Sequence, residues 1–569
     1  MTHHWVRGGL RADRERALHT LDLPAPLVPS TVDAHRRLRG PYTVAGTLMR
    51  HLVPDLDPTL VRPHELEILS VAPELRAIMR PSRDTLTSLA IPAERTRFYS
   101  RLRTLRLAHG LVELIRDHLT LAGQRALVVE NAEHADPTDT EFLSVLTRRV
   151  PANLLTVVLC TGATDRPDLD HLTRLDVAQS TVDSSTVDFV RADGVSDDPA
   201  ARAAYEALDP AARAALHDQR AAELLARNED SLLLGAIPYH REHGSDPEGA
   251  GAQAIRYAMD HCIDMGYYHA TVELCVRGRA LVDWAAQTEL WWAYTTKMTT
   301  SLAALGRAEE AEALYHQARA FTASPNVHMQ ASYATAMLYT RHHEADRKDH
   351  EVATALVNQA IAFASLLPDP KERAFNSVFM RNGLALIEVH KGNLPTALDL
   401  VNSGLARLDR DLGPDEHRLH RSVLRYNRGQ VYAALGRVEE ALADYDAVIA
   451  EDPNYAEYHF DRGNLLRTLD RDGDALLAYE RAMELSPPFP EVYYNRADIH
   501  LDREDTAAAL ADLNYVLELD PDFLDALINR AGLHAYEDRP EQARRDVAAG
   551  LAIEPDNPYL IAVLGQLDQ

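Results

Sequence analysis

The stretch Tyr426–Pro453 reads YNRGQVYAALGRVEEALADYDAVIAEDP. Two later stretches echo it: YHFDRGNLLRTLDRDGDALLAYERAMELSP from Tyr458 and YYNRADIHLDREDTAAALADLNYVLELDP from Tyr493. Laid on one another they share a period of 34. Arg428, Arg462, Arg496 and Arg530 form one column, and Ala441, Ala475, Ala509 and Ala543 another. Pro453, Pro487, Pro521 and Pro555 close the units. Small residues at Gly429, Gly463, Ala497 and Ala531 let two helices approach closely, and the alanine column does the same from the partner helix. Gly436 sits at a turn, and the prolines cannot continue a helix. Each unit therefore reads as two antiparallel helices, residues 422–435 and 438–450 in the first. Neither helix can bury its apolar stripe alone, so the units must stack.

A 34-residue helix–turn–helix unit resembles the tetratricopeptide repeat. Looser matches follow upstream: SLAALGRAEEAEALYHQARA (301–320), EVHKGNLPTALDLVNSGL (388–405) and MGYYHATVELCVRGRAL (265–281). The expected fold is mainly α, an α-solenoid with a smaller N-terminal α/β domain. The expected organisation is a degenerate ATPase-like domain at 1–165 and a polar linker at 166–202. Divergent repeats would then fill 203–420 and four regular repeats 421–569.

In tetratricopeptide domains the residues just before the small Gly/Ala position face a concave groove, and the column just after it is the next to face it. That resemblance nominates Tyr426, Asn427, Gln430, Phe460, Asp461, Asn464, Tyr494, Asn495, Asp498 and Asn529 as peptide-binding residues. An asparagine can donate to a backbone C=O and accept from an N–H, so it can hold an extended peptide of any sequence. The aromatics would add apolar contact. The alternative is that they pack against neighbouring hairpins. Family members that clamp a C-terminal carboxylate present Lys and Arg here, whereas this sequence presents acids. Residues 421–569 hold 14 arginines, no lysine and 30 acids. The expected partner is a protein or peptide that is neutral or basic. The arginine column departs from the family, and Asp444, Asp512 and Asp546 stand where Arg428, Arg496 and Arg530 could pair with them.

ALVVENAEHADPTDTEFLSVLTRRVPANLLTVVLCTG (126–162) has a different grammar. Two short apolar β-branched runs, 127–129 and 154–159, flank an amphipathic helix at 138–149, a βαβ pattern with Pro137 near the helix start. It resembles the acidic strand and the next strand of bacterial signalling ATPases with an ATPase–tetratricopeptide layout, such as large LuxR-type regulators. That resemblance implies metal-holding acids near Glu130, Asn131 and Glu133. The phosphate loop it requires is missing, since no Gly-Lys pair exists in the chain. The nearest candidate, GPYTVAGT (40–47), has Ala45 and Gly46 where glycine and lysine belong. A non-hydrolysing remnant is expected, with no cofactor. A nucleotide-responsive regulator is the first alternative.

A second alternative rests on AERTRFYSRLRTLRLAHGLVELIRDHL (93–119), read as a helix. Arg95, Arg97, Arg101, Arg103 and Arg106 could form an anion or nucleic-acid site, or could dock this segment on the acidic repeats; docking is the preferred reading. With a formal net charge of −27, nucleic acid is not the expected partner. No GxSxG, HExxH or CxxC motif appears, so an enzyme is not expected. The pairs His240/His243 and His417/His420 have i, i+3 spacing and read as surface or packing residues rather than metal ligands. The three cysteines suggest neither disulfides nor a zinc site. The opening residues lack a secretory h-region and no apolar run is long enough to span a membrane, so a cytoplasmic protein is expected. A homodimer stays open.

Overall fold

The computed structural model describes residues 2–92, 94–179 and 189–567. The chain divides into two compact units, Met1–Val431 and Tyr432–Gln569, with the division inside the helix Arg418–Ala434.

The first unit begins with a five-stranded sheet. Its strands are β1 (His4–Arg7), β2 (Val32–Asp33), β3 (Arg125–Glu130), β4 (Leu155–Thr161) and β5 (Thr173–Asp176). The order is β2-β3-β4-β1-β5 and every pair is parallel. β4 is buried along its whole length, which explains its unbroken apolar reading. Val128 lies opposite Val158, and Val6 opposite Cys160. Helices cover both faces, as a parallel sheet requires. On one face Phe142 and Leu146 of the helix Pro137–Arg149 and Leu111 and Ile115 of the helix Arg103–Ala122 join Trp5, Leu127 and Val157 in one core. On the other, Ala17 and Leu18 of the helix Arg11–Leu18 pack on Val6 and Val158.

The expected βαβ unit is present, and Asp136 caps its helix by accepting from the Thr138 N–H, with Pro137 in the first turn. β5 lies in the stretch expected to be a linker, of which residues 180–188 fall outside the described residues. The arginine segment requires a correction. Its helix starts at Arg103, so Arg95, Arg97 and Arg101 lie in irregular chain; Ala93, the first residue of that reading, is outside the described residues.

Helical hairpins fill the rest of the first unit. The helix Ala252–Met265 precedes Tyr268–Leu281; Thr288–Ala304 pairs with Ala308–Phe321, Pro325–Met337 with His350–Ala364, and Pro370–His390 with Leu394–Asp411. The second unit continues the pattern with Val438–Glu451, Ala456–Arg467, Asp472–Leu485, Pro490–Asp502, Thr506–Leu519, Leu524–Tyr536, Pro540–Ile553 and Pro558–Leu567. The protein is thus mainly α, a solenoid of helical hairpins joined to a small α/β region.

Two local devices set the hairpins. The residue that ends each first helix has positive φ at Gly436, Asp470, Glu504 and Asp538, one period apart. The next N–H then reaches back five residues, as from Arg471 to the Leu466 carbonyl at 3.0 Å and from Asp505 to the His500 carbonyl at 2.9 Å. The second device is a glycine that receives a tyrosine ring. A Cβ on Gly463 would lie 2.5 Å from Tyr479, and one on Gly278 or Gly383 would meet Tyr294 or Tyr333 as closely. The alanine column, Ala441, Ala475, Ala509 and Ala543, is fully buried, as close helix approach demands.

Candidate functional site

In the second unit, hydrogen bonds run from the first helix of one hairpin to the first helix of the next. Asn495 donates to Asn464 Oδ1 at 2.8 Å, and Asn529 donates to the Tyr494 hydroxyl at 3.2 Å. The same Asn464 oxygen accepts from the Tyr479 hydroxyl at 2.9 Å. These bonds mark one wall, formed by successive first helices. Both carbonyl lone pairs of Asn464 are engaged, and its amide N–H groups are donors only. Burial pushes the Tyr479 hydroxyl up to about 12, so it stays a donor at neutral pH.

Asp498 belongs to a charged knot on this wall. Arg467 donates to Asp472 and Asp498, each at 3.0 Å, and pairs with Asp502. Burial pulls the guanidinium down, but the three carboxylates hold it well above its ordinary value. One cation among three anions leaves the knot negative. Asp461 is half-buried on the same side.

The aromatics pack between hairpins. Phe460 meets Phe489 edge-on at 5.4 Å, and Tyr494 lies 5.2 Å from Phe523. Phe460 and Tyr494 are half-buried, so each is both a packing group and part of the surface. The remaining nominated residues belong to the first unit. Asn427 donates to Asn382 at 3.2 Å, Tyr426 lies 5.7 Å from the Arg97 guanidinium, and Gln430 is exposed.

The arginine column splits. Arg496 and Arg530 grip Asp512 and Asp546 through two bonds each, between 2.6 and 2.8 Å. Arg462, opposite Ala478, turns to Asp446 at 2.7 Å, and Arg428 donates to Asn402 at 3.0 Å.

The phosphate-loop candidate is corrected. Residues Thr43–Leu52 form a helix that follows no long strand, and its N-terminal N–H groups at Val44 and Ala45 are held by the Asp139 carboxylate at 2.9 and 3.1 Å. Burial pushes that carboxyl up to about 7 despite the two donors. The position an anion would take beside Gly46 is therefore filled by the chain itself. Glu130 ends β3 fully buried, and Arg14 donates to its Oε2 through Nε at 2.9 Å and Nη2 at 2.7 Å. Asn131 donates to both oxygens of Asp33, and Glu133 accepts from the Gly162 N–H at 2.6 Å. Neither Arg14 nor Asp139 was legible as a site residue, because each acts on a partner about a hundred residues away.

A cavity of about 770 Å³ opens at the carboxyl ends of these strands, between Gly9, His35, Asn131 and Gly162 and the later residues Tyr205 and His243. Burial and the neighbouring Arg37, His134 and Arg36 lower His35 to about 3, so it is neutral.

Arg95 and Arg103 are engaged within the first unit. Arg95 donates to the Thr87 carbonyl at 3.0 Å and pairs with Asp264 at 3.3 Å. Arg103 stacks 3.7 Å over Tyr99 and donates to Ser70. Arg106 is half-buried and Arg101 exposed. His240 and His420 are packing residues, 0 % and 1 % exposed, and the described residues contain no cluster of three or more potential metal ligands. Among them no helix is long and apolar enough to cross a membrane.

A family model described as TPR repeat matches residues 429–470, and one described as tetratricopeptide repeat matches 490–523. No curated protein matches the chain. Among solved structures, YrrB, titled a TPR protein with an unusual peptide-binding site, is 20% identical over 33% of this chain and 91% of its own, with a TM-score of 0.27. The C-terminal part of a TPR repeat-containing protein from Cytophaga hutchinsonii is 16% identical over 47% of this chain and 99% of its own, with a TM-score of 0.33. PilF of Pseudomonas aeruginosa is 15% identical over 42% and 99%, with a TM-score of 0.33. The C-terminal part of this chain carries tetratricopeptide repeats.

Proposed function

We propose that the protein is a non-catalytic scaffold or adaptor that takes up an extended protein segment on the wall carrying Asn464, Asn495 and Asn529. The observation that supports this most is the hydrogen-bonded asparagine register across successive first helices. It spaces amide groups along the wall, each fixed by its neighbour yet retaining donors for a foreign backbone. The knot around Arg467 leaves excess carboxylate, so the segment is neutral or basic. The test is fluorescence anisotropy with a panel of extended peptides of matched length and graded charge. Neutral and basic members are expected to bind at least tenfold more tightly than acidic ones at low salt, with the gap narrowing as salt screens it. Equal binding of acidic members removes the charge assignment, and no binding of any member removes the groove.

A second reading, a nucleotide-responsive regulator, is favoured by the cavity at the carboxyl ends of parallel strands, where open α/β sheets place ligands. Saturable binding of a fluorescent ATP analogue to the full chain supports it, and a flat titration removes it. The arginine segment favours no nucleic-acid reading, since Arg95 and Arg103 hold internal partners.

A further inference from the structure

The stretch Arg95–Tyr99 is irregular chain, yet all five of its residues are half-buried. Ile91, Pro92 and Glu94 before it and Ser100, Arg101 and Leu102 after it are exposed. What buries it is a set of helices distant in sequence. Arg95, its side chain 3 % exposed, donates to the Asp264 carbonyl and pairs with the Asp264 carboxylate at 3.3 Å, at the end of the helix Ala252–Met265. Phe98 lies 5.4 Å from the Lys297 ammonium of the helix Thr288–Ala304. Arg97 lies 5.7 Å from the Tyr426 ring of the helix Arg418–Ala434, and Glu94 acts electrostatically on His417 just before that helix. The Tyr99 carbonyl accepts from the Tyr268 hydroxyl, and a Cβ on Gly266 would stand 3.2 Å from that of Tyr99.

Each of these three helices is the first of its hairpin. The stretch therefore lies on the first-unit repeats as a bound peptide lies on a receptor. It has no helix or strand of its own and borrows its order from side chains that first helices supply. Local contacts add to this, since Arg95 also donates to the Thr87 carbonyl at 3.0 Å and Tyr99 lies under Arg103 at 3.7 Å. The wall reads three features. A carboxylate and a carbonyl take the guanidinium at position 95, an aromatic face takes the one at 97, and an ammonium stands beside the ring at 98.

The fit is incomplete. Thr96 Oγ1 and, one turn before Asp264, Asp260 Oδ1 are buried without a hydrogen bond among the described residues. Buried polar atoms left unpaired weaken the seat. A foreign segment with a donor for Asp260 gains a bond that the resident one lacks. Release needs no unfolding of the core. Exposed residues flank the stretch on both sides, and the helix Arg103–Ala122 stays anchored by Leu107, Leu111 and Ile115.

We propose that Arg95–Tyr99 is a resident pseudo-ligand of the first-unit repeats, displaced by a partner protein that bears an extended Arg-x-Arg-aromatic segment. The stretch both specifies the partner's chemistry and gates its access. Tethered at both ends, it competes at an effective concentration on the order of millimolar, so the surface is closed to weak binders and opens to a segment that fits better. The proposal is independent of the asparagine wall, which belongs to the second unit.

Titration calorimetry of the full chain with the peptide ERTRFYSRLR, the sequence of residues 94–103, tests this by counting sites. A site on the second unit appears in every chain and is subtracted. Arg95→Glu, which repels the resident stretch from Asp264, is expected to gain one site that binds at least about tenfold more tightly than the wild type binds there. Phe98→Ala removes a half-buried ring from irregular chain and is expected to gain the same site, so the result does not depend on one variant. Adding Asp264→Arg to Arg95→Glu is expected to abolish the gained site, since the swapped charges seat the resident stretch again and repel the peptide. Asp264→Arg alone should instead take up the peptide with glutamate at its second position. No added site in either segment variant overturns the proposal. So does wild-type binding as tight as that of the variants, or a gained site that survives Asp264→Arg.

Discussion

Replacing Arg14 by methionine is expected to destabilise the protein by about 3–5 kcal/mol, the cost of leaving a buried charge without its partner. Arg14 is 2 % exposed and Glu130 0 %. The guanidinium supplies two hydrogen bonds to a single carboxylate oxygen, and also reaches the Gly9 carbonyl at 3.1 Å and Asp197 at 3.3 Å. Methionine fills much of the volume, so the loss is electrostatic rather than a void. Burial already pushes the Glu130 carboxyl up, and Arg14 is the main force opposing it. Without Arg14 the carboxyl rises further and folding retains a proton that the unfolded chain releases. The deficit should therefore grow as pH rises above the ordinary carboxyl range. Glu130→Gln should cost less, because Arg14 keeps Asp197 and the Gly9 carbonyl. Denaturant unfolding followed by near-ultraviolet circular dichroism reads both. A deficit below about 1 kcal/mol for the methionine variant would mean that the pair does not tie the helix Arg11–Leu18 to the end of β3.

The second large effect falls in the repeats. Tyr479→Ala is expected to cost about 3–5 kcal/mol, the range for truncating a buried aromatic. Tyr479 is 1 % exposed, its ring covers Gly463, and its hydroxyl fixes Asn464. Tyr479→Phe keeps the ring and loses only the bond, so its stability cost should be about 0.5–1.5 kcal/mol. The pair separates packing from orientation. The alanine variant should unfold the second unit at lower denaturant. The phenylalanine variant should fold and still bind peptide more weakly, because Asn464 loses one of its two fixed partners. Unaltered peptide binding in Tyr479→Phe would show that Asn464 needs no such fixing.

The repeats were legible because each column answers a local demand. Ala441 and its equivalents sit where helices cross, and Gly436 marks a left-handed turn. That same turn is taken by Asp470, Glu504 and Asp538, which composition alone does not flag. β3, β4 and the helix between them were readable from apolar period. β1 was not: HWVR has two apolar residues between a histidine and an arginine, and its strand character comes from lying between β4 and β5. β5 reads TRLD, with one apolar residue of four. The phosphate-loop reading failed for a tertiary reason. A helix start that seemed open to an anion is closed by Asp139, 95 residues away from Val44. The i, i+3 histidines read as surface or packing residues, and His240 is buried, but its bonded partners, His217 and Asp193, lie 23 and 47 residues earlier, beyond what local spacing shows. In the repeats the spacing nominated the asparagines, but it did not show that Asn495 bonds to Asn464 and Asn529 to the Tyr494 hydroxyl, or that Arg467 gathers three acids.

Site-specific photo-crosslinking tests the wall most directly. A benzophenone amino acid introduced as Asp498→p-benzoylphenylalanine stands on a first helix, at the proposed binding surface, and one introduced as Arg481→p-benzoylphenylalanine stands on an exposed site of a second helix. With a basic peptide that binds in the anisotropy panel, crosslinking is predicted at position 498 and not at 481. Crosslinking confined to 481, or equal at both positions, would contradict the assignment of the binding surface to the first helices.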